Sequence, residues 1–247
     1  MVNKKMYALG SRRSVIREIF EYAKKRAAEI GGENVFDFSI GNPSVPAPAC
    51  VDEAIERIVR EIPSVRLHGY TSAQGDKDCR DKIAANLRAR FGADISGDDL
   101  YFTCGAAASL TISLHALACP GDEFLVFAPY FAEYKVFVEG AGGKFTPLPS
   151  EDGTFQPDFA ALERAMNPSV KALIVNSPNN PSGVVYGEET IGRLAAFLRG
   201  KEKEYGHPVY LITDEPYREL VYDKKTKVPF IPNYYDDTLV CYSYSKS

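Results

Sequence analysis

Four short apolar runs constrain the fold more than any other feature of the sequence. The runs are DEFLVFAP (122–129), VKALIVNSP (170–178), PVYLITDEP (208–216) and DTLVCYSYS (237–245). Such almost unbroken runs are typical of strands buried on both faces of a mostly parallel sheet. Helical patterns over 157–166 and 187–199 lie between them, which predicts right-handed crossover connections. The expected fold class is α/β, with a three-layer α/β/α large domain around a mostly parallel sheet.

The N-terminal part of the chain is expected to form a separate, smaller region. Residues 14–30 carry apolar side chains at helical spacing and are followed by two glycines, which predicts an amphipathic helix lying on a larger body. A short strand is predicted for VFDFSI (35–40), and the proline-rich GNPSVPAP that follows favours extended backbone. We therefore place an N-terminal arm and small-domain helix in 1–43, and a large domain in 44–247.

Composition and charge exclude several classes of partner. The net charge is −4, and the 29 lysines and arginines are scattered among 33 acidic residues, so no surface for nucleic acid or an anionic membrane is expected. No stretch of about eighteen apolar residues predicts a membrane helix. The five cysteines and three histidines lack metal-ligand spacing, so no metal is expected. The cysteines are predicted to be buried free thiols of a cytoplasmic protein.

Polar and aromatic turns follow the four apolar runs. In chain order they are Pro-Tyr-Phe, Asn-Asn-Pro-Ser-Gly, Asp-Glu-Pro-Tyr and Ser-Tyr-Ser-Lys-Ser. Because ligands of open α/β sheets bind beyond the carboxyl ends of the strands, these clusters are expected on one rim. A further segment, TCGAAASL (103–110), follows a predicted strand, DDLYFT, and opens an apolar helix. Its small residues would either expose backbone N–H groups to a phosphate or allow close packing against the sheet.

Two nucleotide-binding interpretations fail because their motifs are missing. The acidic residues at the end of the strand LITDE could hold magnesium in a nucleotide hydrolase. Such an enzyme needs a phosphate loop, and the nearest candidate, EGAGGKFT, lacks Gly-Lys-Ser/Thr at the required spacing. A dinucleotide site would need G-x-G-x-x-G at a strand-to-helix turn, and none is present. A lysine, a carboxylate, an asparagine, a tyrosine and a phosphate site on one rim instead match the needs of pyridoxal 5′-phosphate.

Seven motifs together resemble those of one enzyme family. They are FSIGNP (38–43), HGYTSAQGDKDCRDKIA, TCGAAASL, APYFAEY, NSPNNPSG, LITDEPY and SYSKS. In order and spacing they are similar to the class I/II aminotransferases, which are fold-type I pyridoxal-phosphate enzymes, and most of all to bacterial aspartate aminotransferases. The resemblance covers nearly the whole chain. It implies pyridoxal phosphate as cofactor, an amino acid and a 2-oxo acid as substrates, and a homodimer.

The resemblance also implies roles for individual residues around the cofactor ring. Lys246 would hold the cofactor covalently and then shuttle a proton. Asp214 would pair with the pyridine nitrogen, although capping of the next turn is its ordinary structural role. Asn180 and Tyr217 would bond the ring hydroxyl, with Asn180 also facing the substrate. Phe131 would stack on the ring.

Further residues are implied for the phosphate and the substrate. Ala106 and Ala107 would bind the phosphate through backbone N–H groups, and Ser243 through its hydroxyl. Tyr70 would reach across a dimer interface to the phosphate of the partner. Gly41 would let the backbone approach the substrate carboxylate, although an ordinary turn glycine is the alternative.

The implied reaction is ping-pong transamination from an L-amino acid, best matched by aspartate, to a 2-oxo acid. Aromatic, alanine or broad specificity stays open. A carbon–sulfur β-lyase, or a cyclising enzyme acting on a sulfonium amino acid, would use the same lysine, aspartate and asparagine. A non-catalytic cofactor-binding module is a further alternative. Family members continue well beyond this lysine, so the chain is expected to be incomplete at its C-terminus.

Overall fold

The chain divides into two compact units, Met1–Tyr70 and Thr71–Ser247. The computed structural model describes residues 2–11, 15–41 and 45–246. The boundary that we predict between residues 43 and 44 lies outside the described residues and stays a prediction.

The first unit contains four α-helices within the described residues, together with irregular segments. Its helices are Lys4–Ser11 (α1), Val15–Ile30 (α2), Ala49–Glu61 (α3) and Ser64–Leu67 (α4). Helix α2 confirms the helix predicted in this region, but none of its residues is buried. The strand predicted for 35–40 is wrong, because this segment has no strand partner among the described residues. Without a ladder of hydrogen bonds it stays irregular, and Phe36 and Phe38 are exposed.

The second unit is built on one parallel sheet. Within the described residues its strands are Glu123–Phe127 (β1), Lys144–Leu148 (β2), Val170–Asn176 (β3), Tyr210–Asp214 (β4) and Thr238–Cys241 (β5). Their order is β2-β1-β3-β4-β5, and every neighbouring pair is parallel. The four predicted strands are confirmed. Strand β2 was not predicted. It contains Pro147, which cannot donate a hydrogen bond and argues against a strand, but an edge position tolerates a proline.

Five α-helices belong to the second unit within the described residues. They are Lys77–Phe91 (α5), Ala106–Leu117 (α6), Tyr134–Gly140 (α7), Phe159–Ala165 (α8) and Glu188–Tyr205 (α9). Helices α6 to α9 cover the two faces of the sheet. Alternate side chains of β1, β3 and β4 enter two separate apolar clusters. One cluster joins these strands to α6 and α7, and the other joins them to α8 and α9. The predicted three-layer α/β/α arrangement is therefore confirmed.

The segment DDLYFT, predicted as a strand, is not part of the sheet. Gly97–Asp99 forms a turn of 3₁₀ helix, and the residues after it are irregular. The backbone N–H of Phe102 donates to the carbonyl of Gln74 rather than to a strand. The local apolar pattern could not show that this backbone hydrogen bond takes the place of pairing with a neighbouring strand. The helix predicted after it is confirmed as α6.

No helix in the described ranges is long and apolar enough to cross a membrane. All five cysteines are free thiols, but the expectation that they are buried holds only for Cys241, which ends β5. The exposed cysteines are Cys50, Cys79, Cys104 and Cys119. Cys50 and Cys79 lie in the first turns of α3 and α5.

Candidate active site

The carboxyl ends of three neighbouring strands lie level with one another. Asn176 at the end of β3 pairs with Asp214 at the end of β4, and Asp214 pairs with Cys241 at the end of β5. The turns that follow these strands therefore start side by side at one edge of the sheet. This is the edge at which open α/β sheets bind ligands.

Asp214 is a buried carboxylate with one of its two oxygens bonded. The hydroxyl of Tyr134 donates to Oδ2 at 2.5 Å. Oδ1 is also buried and has no hydrogen-bond partner among the described residues. Burial raises the pKa of Asp214 from 3.8 to about 6, and the bond from Tyr134 opposes this rise. Within the described residues, Oδ1 of this buried carboxylate therefore has neither a hydrogen-bond donor nor a positive charge beside it.

Tyr134, which we did not predict from the sequence, belongs to this site. It is the first residue of α7 and its side chain is fully buried. Burial and the charge of Asp214 raise the pKa of Tyr134 well above its ordinary value, so its hydroxyl is the donor. Its ring meets that of Phe131 edge to face, with centroids 5.6 Å apart. The only signal in the sequence was a tyrosine three residues after Phe131.

The turn after β3 is tied to the turn after β4 through asparagine side chains. Asn180 Nδ2 donates to the hydroxyl of Tyr217 at 3.2 Å. The backbone N–H of Asn180 donates to Asn176 Oδ1 at 2.6 Å, and Asn176 Nδ2 donates to the carbonyl of Asp214 at 2.7 Å. Through these bonds the structure links the turns that carry Asn180 and Tyr217 to Asp214 at the end of β4. The roles implied for these three residues stay predictions.

A buried ion pair fixes the turn that carries Tyr217. Glu215 Oε2 accepts from Arg218 Nε at 2.6 Å, and Glu215 Oε1 accepts from Thr213 Oγ1 at 2.9 Å. Burial raises the pKa of Glu215, and the charge of Arg218 opposes this. Arg218 also donates to the carbonyls of Val228 and Pro229. Arg218 Nη2 donates to Glu215 Oε2 as well, so four hydrogen bonds to carboxylate and carbonyl oxygens hold the guanidinium.

The start of α6 lies beside the segment that follows β5. Gly105 precedes α6 with a φ of +86°, so glycine is favoured there. A Cβ placed on Gly105 would lie 4.0 Å from Ser243 Oγ. Ala106 and Ala107 form the first turn of α6, where backbone N–H groups have no acceptor within the helix. The Ser243 hydroxyl, which donates to the hydroxyl of Ser245 at 2.8 Å, therefore lies close to the residue that precedes these N–H groups.

For three of the predicted residues, the structure gives less information about the site. Lys246 is partly buried and lies five residues beyond the end of β5. Gly41 and Tyr70 belong to the first unit, and both are exposed. Asn42 and Pro43 of the motif FSIGNP lie outside the described residues. The roles implied for Lys246, Gly41 and Tyr70 stay predictions.

Comparison with known proteins identifies the family of this chain. The family model described as aminotransferase class I and II matches residues 33–247. The chain belongs to the class I and II aminotransferase family.

Individual relatives are aspartate aminotransferases and proteins named like them. The enzyme of Thermotoga maritima is 33% identical over 91% of this chain and 58% of its own length. A probable aspartate/prephenate aminotransferase of Thermus aquaticus is 34% identical over 78% of this chain and 48% of its own length. The chain thus spans about half the length of these curated relatives.

Solved structures share the whole described fold. A crystal structure of an aminotransferase from Eubacterium rectale matches with a TM-score of 0.96 and 57% identity. The match covers 100% of this chain and 62% of the Eubacterium rectale chain. Aspartate aminotransferase from Thermus thermophilus with maleate has a TM-score of 0.84 and 27% identity, with 100% and 61% covered.

The residues of this site fit the cofactor on which the family depends, pyridoxal phosphate. The test is Asp214, whose Oδ1 is buried and has no partner within the described part of the chain. A protonated pyridine nitrogen would offer this oxygen both a donor and a positive charge, which together stabilise the ionised form of a buried carboxylate.

Proposed function

We propose that the protein is a pyridoxal-phosphate-dependent aminotransferase. In this proposal it transfers the amino group of an L-amino acid to a 2-oxo acid in two half-reactions, by a ping-pong mechanism. The observation that carries the proposal is the buried Asp214, whose Oδ1 lacks a partner among the described residues at the ligand-binding edge of the sheet.

Each part of the cofactor has a residue set that would hold it. Asp214 Oδ1 would accept from the protonated ring nitrogen, and Phe131 would cover one ring face. Asn180 and Tyr217, which already share a hydrogen bond, would bind the ring hydroxyl. Lys246 would bond the aldehyde. The phosphate would bind the residues at the start of α6 and after β5, namely Ala106, Ala107 and Ser243.

When bound, pyridoxal phosphate supplies an electron sink for the negative charge that develops at the substrate α-carbon. Asp214 keeps the ring nitrogen protonated, because its buried carboxylate favours a bound cation. Lys246 Nζ, once the substrate amine has taken its place, would accept the proton from the α-carbon and deliver it to the carbon that was the cofactor aldehyde, within the same half-reaction. In the second half-reaction it would move a proton in the opposite direction. Tyr134 and Asn176 keep Asp214 in place during both steps.

Aspartate is the amino donor that we propose. This choice rests on the names of the relatives from Thermotoga maritima and Thermus thermophilus, and on the dicarboxylate maleate in the latter structure. Gly41 and Asn180 are the residues of this chain proposed to face the substrate carboxylate. Prephenate enters the set of acceptors to be tested because the name of the Thermus aquaticus relative includes it.

We further propose that the active form is a cytoplasmic homodimer. The exposed side chain of Tyr70 suits a residue that reaches the phosphate bound by a partner subunit. Four exposed free cysteines suit a reducing compartment, since exposed thiols there stay reduced. Sedimentation of the protein with and without cofactor tests the dimer, and a monomer with full activity would contradict it.

The proposed function is tested with the protein as its gene encodes it, loaded with pyridoxal phosphate. A panel of amino donors should change the cofactor absorbance, and a 2-oxo acid should restore it. Asp214→Asn is the matched variant, which should bind the cofactor but lose this exchange. Release of pyruvate and ammonia without an acceptor would instead favour a β-lyase. A folded protein that binds the cofactor without forming a covalent bond to it, and that reacts with no amino donor, would favour a non-catalytic cofactor-binding module.

A further inference from the structure

We propose that Asn176 is a positioning residue that fixes the separation between Asp214 and Asn180, so that one cofactor ring contacts both. The proposal rests on the proposed function, in which these two residues bind different positions of the same ring. Asn176 itself is not proposed to touch the cofactor.

A single amide connects the two segments. Asn176 Nδ2 donates to the carbonyl of Asp214 at 2.7 Å, and Asn176 Oδ1 accepts from the backbone N–H of Asn180 at 2.6 Å. The side chain is buried, with 4% of its surface exposed. Because the amide group is planar and uses one atom for each bond, it sets the distance between the two backbones.

Both partners of Asn176 are backbone groups. The side chains of Asp214 and Asn180 therefore keep their own polar atoms for other contacts, as a cofactor site needs. Asp214 and Asn176 form the last pair in the register of β3 with β4. Beyond this pair the strands no longer hold each other, so Asn176 continues the connection into the turn that carries Asn180.

Other contacts do not replace this connection. The bond between Asn180 Nδ2 and the Tyr217 hydroxyl is longer, at 3.2 Å, and involves two side chains. Asn179 shapes the turn internally, since its Oδ1 accepts from the backbone N–H and the hydroxyl of Ser182. Its Nδ2 also donates to the carbonyl of Pro129, after β1, at 3.3 Å. Asn179 thus holds the turn in shape and against the segment after β1, whereas Asn176 holds the turn against β4.

Two variants separate the two bonds. Asn176→Ala removes both. Asn176→Asp keeps an acceptor for the N–H of Asn180 but has no donor for the carbonyl of Asp214 when it is ionised. The matched control is Asn167→Ala. Asn167 precedes β3, at the opposite end of the same strand, and its side chain bonds Glu123, Ala165 and Ser169.

The first measurement compares two ligands on each variant, pyridoxal phosphate and inorganic phosphate. Asn176→Ala should raise the Kd of pyridoxal phosphate about tenfold, which corresponds to about 1.4 kcal/mol. The Kd of inorganic phosphate should not change, because the start of α6 is untouched. Asn167→Ala should change neither. A Kd for pyridoxal phosphate within about twofold of the unaltered value, or an equal loss for both ligands, would overturn the proposal.

The second measurement needs no cofactor. Hydrogen exchange at the backbone N–H of Asn180 should be much faster in Asn176→Ala than in the unaltered apoprotein or in Asn167→Ala. Asn176→Asp should keep this protection, because its carboxylate still accepts from the N–H of Asn180, but it should bind pyridoxal phosphate more weakly than the unaltered protein. If the alanine variant does not fold, the weaker binding of Asn176→Asp still tests the proposal. Unchanged exchange in Asn176→Ala would refute the connection. If the unaltered protein does not bind pyridoxal phosphate, the proposed function fails, and the exchange result still decides whether Asn176 fixes Asn180.

Discussion

Replacing Asp214 with asparagine should stabilise the cofactor-free protein at neutral and alkaline pH while removing its function. Burial raises the pKa of Asp214 from 3.8 to about 6 in the folded protein. Between these two values the folded state binds more protons than the unfolded state, so the free energy of unfolding falls as pH rises. One pKa unit is worth about 1.4 kcal/mol, so Asp214 costs about 3 kcal/mol above pH 6. Asparagine cannot ionise and avoids this cost.

Other effects of the substitution largely cancel. The asparagine oxygen can accept from Tyr134, as Oδ2 of Asp214 does. Its NH₂ group would take the place of Oδ1, which already has no partner within the described residues. The number of unsatisfied polar groups therefore stays the same, and the loss of the buried charge dominates.

The assay is urea unfolding of the apoprotein at about pH 4 and about pH 8. The difference in unfolding free energy between Asp214→Asn and the unaltered protein should grow by about 3 kcal/mol between these pH values. Asp152→Asn, at an exposed position, reports the effect of removing one surface charge. A difference that does not depend on pH, or a variant that is less stable at the higher pH, would refute the reasoning.

Three further substitutions test neighbouring parts of the site. Tyr134→Phe should raise the pKa of Asp214 above about 6, because it removes the bond that opposes the rise, and carboxyl NMR titration of the apoprotein checks this. Arg218→Met should lower the unfolding free energy by about 3–5 kcal/mol, because Glu215 is left buried without its cation; a loss below about 1 kcal/mol in urea unfolding would count against the ion pair's role. Lys246→Ala should abolish amino transfer in a coupled assay, while fluorescence still detects cofactor bound at α6.

The central strands were predictable because each is a continuous apolar run that ends in a polar turn. Strand β2 was not, since Lys144–Leu148 is an edge strand whose side chains are mostly exposed or half-buried. The strands predicted for 35–40 and 98–103 were wrong for a related reason. A strand forms only where a second strand pairs with it, and the sequence of one segment does not show whether such a partner strand exists.

Candidate site residues could be named from the sequence where they lie in the turns after strands, as Asp214, Asn180 and Tyr217 do, and their roles stay predictions. Tyr134 and Asn176 were missed because their importance lies in bonds to other elements. Asn176 reads as the end of an apolar strand, and Tyr134 as an ordinary core residue of a short helix. Their partners are 38 and 80 residues away in the chain, so only the fold brings them together.

The most direct test of the cofactor site is to find the lysine that holds pyridoxal phosphate. The protein is loaded with the cofactor, reduced with borohydride, digested and analysed by mass spectrometry. The pyridoxyl group should be found on Lys246, and Asp214→Asn should still be labelled at the same residue. Stoichiometric labelling of another lysine, or no labelling of a folded protein, would contradict the assignment.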